Sequence, residues 1–285
     1  MFENIFKGFS FIKESFSLIM KDSDIIKPSF YSIFAGIFFT ILSVIIMFLL
    51  QSGLGSGNFF YILAFFILLG NYFISYFFTG MTAFLVYDYF KDGDATMFEA
   101  WDAAKKNAIT IFYLAIISAI VNIILGILRG RTRKDRSVGG GLSGMIIGFI
   151  EKAWTVATYF MIPAIVIEDR DLKSAVERAS SIIKRNLLPI GVGEIAVGLV
   201  TAFLSAFGLA IAIVIGISLI NVTGPLLAIL VAAILIVIII ALFMYVTTAY
   251  HTCLFLWARN VEDAKAGVSG TIKPPAPIAG ALGIS

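Results

Sequence analysis

Two stretches of this chain, "FYSIFAGIFFTILSVIIMFLL" from Phe30 and "LLAILVAAILIVIIIALFMYV" from Leu226, run the length of a bilayer crossing without a charge. About 20 apolar residues in a helix cover a hydrocarbon core ~30 Å thick. Lipid offers the backbone no hydrogen bonds, so such a run must satisfy its own N–H and C=O groups as a helix. A transmembrane β-barrel needs short segments of alternating hydrophobicity instead, and this sequence has none. The fold class expected is therefore all-α, a polytopic membrane bundle. Composition agrees: 60% of the 285 residues are hydrophobic and 14% charged, where soluble chains hold about 25% charged residues.

Apolar runs between polar breaks mark six spans, at roughly 29–51, 59–89, 108–128, 142–167, 187–220 and 225–257. The breaks alternate in kind. "SGLGSGN" and "NVTGP" are short, uncharged turns, whereas 90–107 and 168–186 are long and charged.

The second charged break is a two-faced helix. Leu172, Ala175, Val176, Ala179, Ile182 and Ile183 fall on one stripe, with Lys173, Glu177, Arg178, Lys184 and Arg185 elsewhere. Asp171 is placed to cap it, and its basic end suits the negative end of the dipole. The device recurs. Phe2, Ile5, Phe6, Phe9, Ile12, Phe16 and Ile19 form the same stripe at the N-terminus, where phenylalanine suits the headgroup boundary. In the middle, Met97, Trp101, Ala104 and Ala108 line up behind Thr96 and Glu99, which are spaced as a capping box. The alanines and serines of the third copy suit close packing on protein.

The expectation is a single membrane domain, 1–258, built from an amphipathic helix plus two spans three times over (1–89, 90–167, 168–258), then a cytoplasmic tail, 259–285. Six spans put both termini and both charged breaks on one face. That face carries Lys7, Lys13, Lys21, Lys105, Lys106, Lys184 and Arg185 among others, which makes it cytoplasmic. One basic loop falls on the other side, with Arg129, Arg131, Arg133, Lys134 and Arg136. It reads as an external basic rim or as a solvated loop without a ligand.

Ionisable groups at membrane depth are costly and mark candidate function. Glu151 and Lys152 lie about ten residues inside the fourth span, Glu194 about eight inside the fifth, and His251 near the inner end of the sixth. Glu194 and His251 stand at matching depths and are expected to meet, as a proton relay, a cation site or a structural hydrogen bond. Asn71, Ser75, Tyr76 and Thr79 on the second span, with Asn122 on the third, line a polar path or bond helix to helix. Gly140, Gly144 and Gly148 form a ladder of small residues that allows close helix approach, within the chain or between copies. The last two spans exceed what a tilted crossing needs, so they bend or bury their surplus; Gly198, Gly208 and Gly216 offer bends, and the surplus argues for self-association.

Several functions find no support in the residues. A net charge of +3 is too small to point to nucleic acid. One cysteine, Cys253, forms no internal disulfide. The first residues, broken by Lys7, Lys13 and Lys21, hold no signal-peptide core. No H-E-x-x-H, C-x-x-C, Walker loop or G-x-S-x-G is present, so no catalytic, metal-binding or cofactor-binding residue is assigned, and neither an enzyme nor a cofactor is expected.

From Trp154 to Glu168, "WTVATYFMIPAIVIE", then "AVERASS" from Ala175 and "YHTCLFLWA" from Tyr250, the chain resembles uncharacterised prokaryotic six-span membrane proteins. It is also similar in these elements to the membrane domain of some glycerophosphodiester phosphodiesterases. The resemblance implies a six-span fold in a prokaryotic cytoplasmic membrane. It carries over no catalytic residue, because no stretch matches the soluble phosphodiesterase domain. The function expected is an oligomeric channel or transporter for ions or small solutes; the alternative is a non-transporting scaffold or lipid-interacting subunit. The expected partners are membrane lipids and further copies of the chain.

Overall fold

A computed structural model of the chain describes residues 2–54, 57–134 and 138–265. Among these the chain is helical throughout: α1 (Phe2–Lys21), a short 3-10 turn (Ser23–Ile26), α2 (Lys27–Leu54), α3 (Gly57–Asp92), α4 (Met97–Lys106), α5 (Ala108–Lys134), α6 (Val138–Ile167), α7 (Leu172–Arg185), α8 (Leu187–Thr223) and α9 (Pro225–Lys265). Six of them, α2, α3, α5, α6, α8 and α9, are long and apolar enough to cross a membrane. The protein is a polytopic helical membrane bundle.

Its arrangement follows the sequence rhythm. Three times a short two-faced helix precedes a hairpin of two long ones. The second helices of the hairpins, α3, α6 and α9, pack on one another in the middle, and α2, α5 and α8 stand outside them. The short helices bind the hairpins together: α4 lies on α3, α7 on α6, and α1 on α8 and α9. The result approximates three-fold symmetry, with one seam different. α5 packs beside α3 and α2 beside α9, but among the described residues α8 forms no such seam with α6.

The core lies toward the end where α1, α4 and α7 gather. Leu85 and Val86 of α3, Phe160 and Ile165 of α6, and Tyr245, Ala249 and Phe255 of α9 are buried there. Toward the opposite end, Phe48, Phe149, Val222 and Leu226 are exposed, as suits surface that faces acyl chains. Lipid is as apolar as a leucine face, so polar bonds and small residues must join the spans. Asn71 donates to Thr40 Oγ1 at 3.1 Å. Tyr76 and Trp154 both donate to Ser118 Oγ, at 2.9 and 3.2 Å. Gly216 brings α8 so close to α9 that a Cβ on it would lie 2.7 Å from the Ala232 Cβ.

The α7 stripe packs as its spacing requires. Ala175, Ala179 and Ile182 are buried, and the Asp171 side chain accepts from the Ser174 N–H at 3.0 Å. The N-terminal stripe does not lie in the headgroup boundary over its described part. Of the stripe, Ile12 is buried in the core and Phe16 and Ile19 pack against it. The buried face also takes in Phe11 and Leu18, which the stripe left out, with Phe11 edge-on to the Tyr250 ring and Tyr245 donating to the Ser15 carbonyl at 3.1 Å. The reason is topological: α1 covers the flank of the α8–α9 hairpin.

The capping box at α4 is also replaced. The Thr96 side chain makes no cap bond, and its backbone N–H donates to Asp88 Oδ2 at 3.3 Å, which takes the place Glu99 would fill. The tail boundary moves too, because 259–265 continue α9 and Arg259 lies over the Tyr87 ring. Residues 266–285 of that tail lie outside the described residues. α8 runs unbroken through Gly198, Gly208 and Gly216, and α9 buries its excess length at the end where α1, α4 and α7 gather, from Tyr245 to Ala258.

Candidate functional site

The open seam between α6 and α8 is polar. It forms a groove of about 460 Å³ whose walls carry Glu151, Lys152 and Tyr159 from α6, Glu194, Gly198 and Thr201 from α8, and Thr247, Tyr250 and His251 from α9. Positions 194, 197, 198 and 201 share one α-helical face, and 247, 250 and 251 share another. Helical spacing alone therefore delivers these side chains to one strip.

At its centre Glu194 Oε2 lies 3.0 Å from His251 Nε2. The histidine is 2% exposed. Tyr159 lies flat on its ring, with centroids 4.3 Å apart and an 8° interplanar angle, and Tyr250 and Phe160 approach it edge-on. Its other nitrogen, Nδ1, sits 2.7 Å from the Thr247 carbonyl oxygen. A carbonyl only accepts, so Nδ1 carries a proton. The Nε2–Oε2 bond then holds one further proton, resting either on the imidazole or on the carboxyl. Removing it would leave two lone pairs facing each other across 3.0 Å.

Lys152 faces the same carboxyl from the opposite wall. Its Nζ is 3.8 Å from Glu194 Oε1, and its side chain is 65% exposed, against 19% for Glu194. That distance is an ion pair without a hydrogen bond. Glu151 is taken up by Arg129 of α5, which ties this wall of the groove to the other helix of its own hairpin. Two hydroxyls in the groove walls, Tyr250 Oη and Thr201 Oγ1, are buried without a hydrogen-bond partner. Burying a hydroxyl in this way is costly unless something supplies the bond. Among the described residues no third carboxylate, thiol or imidazole joins the pair to make a metal cluster.

The structure thus gathers Glu194, His251, Glu151 and Lys152 into one groove. Asn71 and Asn122 lie elsewhere. Asn71 bonds α3 to α2 through Thr40, and Asn122 bonds Tyr72, so each joins helices rather than lining a shared path. Gly144 and Gly148 have open space where a Cβ would stand; among the described residues nothing lies within 4 Å of either position, and Gly148 borders the groove. The surroundings of Gly140 and the side chains of Arg131, Arg133 and Lys134 lie outside the described residues, as does Arg136 altogether. Sequence reasoning missed Tyr159, Tyr250 and Thr201. The repeat of 194, 197, 198 and 201 on one face was a signal for Thr201; nothing in the sequence pointed to the tyrosines.

A second polar assembly occupies the inner end. Arg178 bonds both Glu168 and Glu262, Arg185 approaches Glu262 at 3.4 Å, and Arg170 holds Glu168 at 2.5 Å. Arg178, 13% exposed, is the shared centre of this cluster and joins α7 to α9 through Glu262.

A family model described as a family of unknown function, DUF6159, matches residues 56–270. No curated protein matches the chain, so the similarity to the membrane domain of glycerophosphodiester phosphodiesterases finds no counterpart there.

Proposed function

We propose, for a chain that belongs to the family of unknown function DUF6159, that it is a membrane transporter whose solute site is the groove between α6 and α8. The observation that supports this reading is the one-proton Glu194–His251 pair facing Lys152 at membrane depth. A charge pair that only held helices together would be sealed by them. This one borders a groove, beside hydroxyls that lack partners. The centre of the bundle is packed with Leu85, Phe160 and Ala249, so the reading is a lateral site and not a conduit along the axis of a single chain. The same proposal sets the protein in the cytoplasmic membrane of a prokaryote, with both termini inside. It leaves the open face at Gly144 and Gly148 to a second copy.

A panel of small ions and solutes, assayed for proton-linked flux in proteoliposomes, tests it. Flux in the wild type that disappears in Glu194→Gln supports transport through the groove; flux unchanged by Glu194→Gln removes the pair from the mechanism. The second reading, a lipid-interacting subunit that transports nothing, is favoured by the packed axis and by the lateral opening of the groove. It gains if no solute moves while lipid co-purifies with the wild type and is lost from Lys152→Met.

A further inference from the structure

We infer that Lys152, in the groove between α6 and α8, is a binding site for a phosphate-bearing ligand, and that the proton shared by Glu194 and His251 controls it. This inference rests on the groove being the ligand site and specifies what enters and how it is released.

The control follows from the hydrogen-bond geometry. With the proton in place, Glu194 Oε2 and His251 Nε2 satisfy each other. The Lys152 ammonium then stands 3.8 Å from Oε1, beside Gly198, uncommitted to any hydrogen bond. Without the proton, the pair carries a net negative charge and two opposed lone pairs. The charged groups acting on Glu194 are His251 on α9 and Lys152 on α6. Tyr250 and Tyr159 are its phenolic neighbours, and Glu151 is held by Arg129. Lys152 is therefore the group that can close the gap, and in closing it leaves any anion it held. Anion on Lys152 and proton on the pair occur together, so binding the anion takes up one proton.

The ligand chemistry follows from the donors. The Lys152 ammonium, 65% exposed in the groove, offers its N–H donors to the acceptor oxygens of a phosphate and would meet a cation head-on. The Tyr250 and Thr201 hydroxyls are buried beneath the groove surface and are not among those donors. The groove opens between two spans, which allows a phospholipid headgroup to enter sideways and a free phosphate to enter from the aqueous side.

Calorimetry on the purified full chain in a phosphate-free maltoside detergent decides the matter. The probes are short-chain phosphatidylglycerol, inorganic phosphate and the uncharged short-chain diacylglycerol, each in two buffers of different ionisation enthalpy. The pH runs from about 6 to about 9, the range around a histidine's titration. Expected are binding of a phosphate-bearing probe but not of diacylglycerol, affinity that falls as pH rises, and uptake approaching about one proton per ligand at the alkaline end. Phosphatidylglycerol alone names a headgroup as the source; inorganic phosphate binding equally well names the free anion. Lys152→Met loses at least about ten-fold in affinity, the scale of one charge-assisted bond. Glu194→Gln, which mimics the protonated carboxyl, binds without pH dependence or proton uptake. Circular dichroism confirms that each variant is folded. Binding without proton uptake at any pH overturns the inference yet leaves the groove standing if Lys152→Met and Gly198→Leu, which fills the groove, both lose the probe. Binding that survives both variants puts the ligand elsewhere and overturns the groove reading as well. Failure of both phosphate probes to bind overturns the inference outright.

Discussion

Asn107, at the joint of α4 and α5, donates its side-chain amide to Asp169 at 3.0 Å across 62 residues of chain. The same kind of bond appears one unit earlier, where Asp22 at the start of the 3-10 turn accepts from the Ala95 N–H at 2.9 Å. In each case the joint between a short helix and its first span reaches the linker that begins the next short helix. Beside Asn107, Lys106 pairs with Asp169 at 2.5 Å, and beside Asn186, Arg185 approaches Glu262 at 3.4 Å. Polar bonds at the joints thus add to the packing of α3, α6 and α9 in joining one hairpin to the next.

Removing the Asn107 amide is therefore expected to loosen the contact between units. The residue is 8% exposed and its amide also bonds the Ala103 carbonyl at 3.1 Å. Asn107→Leu should cost about 0.5–1.5 kcal/mol, the net worth of a hydrogen bond, because Asp169 stays half exposed to water and the Ala103 carbonyl keeps its backbone bond. A lower melting temperature in detergent, with helical content unchanged before the transition, is the expected reading; an unshifted transition would show that the joint does not hold the units.

Asp169 gives that joint a pH dependence. The Lys106 and Asn107 side-chain bonds hold its carboxyl below the ordinary value. A carboxyl depressed in the folded state contributes stability above its unfolded pKa of about 3.9, and the contribution is lost as pH falls through the lower folded value. The stability gap between wild type and Asp169→Asn is thus expected to be full at neutral pH and to close below about pH 4. Both partners are more than half exposed, so the gap should stay under about 1 kcal/mol. A gap that widens in acid would contradict the assignment.

Arg178 should be the costliest single loss at the inner end. Its side chain is 13% exposed and serves Glu168 and Glu262 together, over the Phe255 ring. Arg178→Met leaves two partly buried carboxylates facing each other and is expected to cost about 3 kcal/mol. Lysine cannot bridge both acids with one ammonium, so Arg178→Lys should recover less than half of that difference in thermal unfolding. Full recovery would mean that charge alone, and not the guanidinium fork, holds α7 to α9.

Much of this molecule was legible in its residues, and the limits have physical causes. The span count follows from run length, because the bilayer sets it. The meeting of Glu194 with His251 follows from equal depth on adjacent antiparallel spans, which a hairpin enforces. The α7 stripe was legible because α7 packs chiefly on α6, the helix it follows in the chain. The N-terminal stripe through Ile12, Phe16 and Ile19 looked alike in sequence, but α1 packs on α8 and α9 with Phe11 and Leu18 in the buried face. Periodicity says that a face is apolar and not what covers it. Nor could periodicity show that α6 and α8 stay apart, because that depends on how three hairpins close around one another. Thr96 and Glu99 had capping-box spacing, yet Asp88, folded back from the end of α3, reached the free N–H first.

The glycines separate close contact from open face. At Gly216 a Cβ would meet the Ala232 Cβ at 2.7 Å, so Gly216→Val should part α8 from α9 and lower the melting temperature. Gly144 meets nothing within 4 Å, and Gly144→Leu should leave the stability of the single chain unchanged. If copies associate through that face, crosslinking in native membranes will give less dimer for Gly144→Leu than for wild type. Equal crosslinking would exclude the face as the contact.

Sidedness is testable with little interference from the native thiol, because Cys253 is the chain's one cysteine and is fully buried. Arg133→Cys places a reactive thiol in the last turn of α5, and Lys184→Cys places one on the exposed face of α7, beside Arg185. With both termini inside, a membrane-impermeant maleimide should label the first in intact cells and the second only after the membrane is opened. The wild type should stay unlabelled in both conditions. Labelling at 184 and protection at 133 would invert the protein. The Arg178 cluster would then face outward, and the groove, with Glu194 nearer that end than Lys152, would present its proton-holding pair to the exterior instead of the cytoplasm.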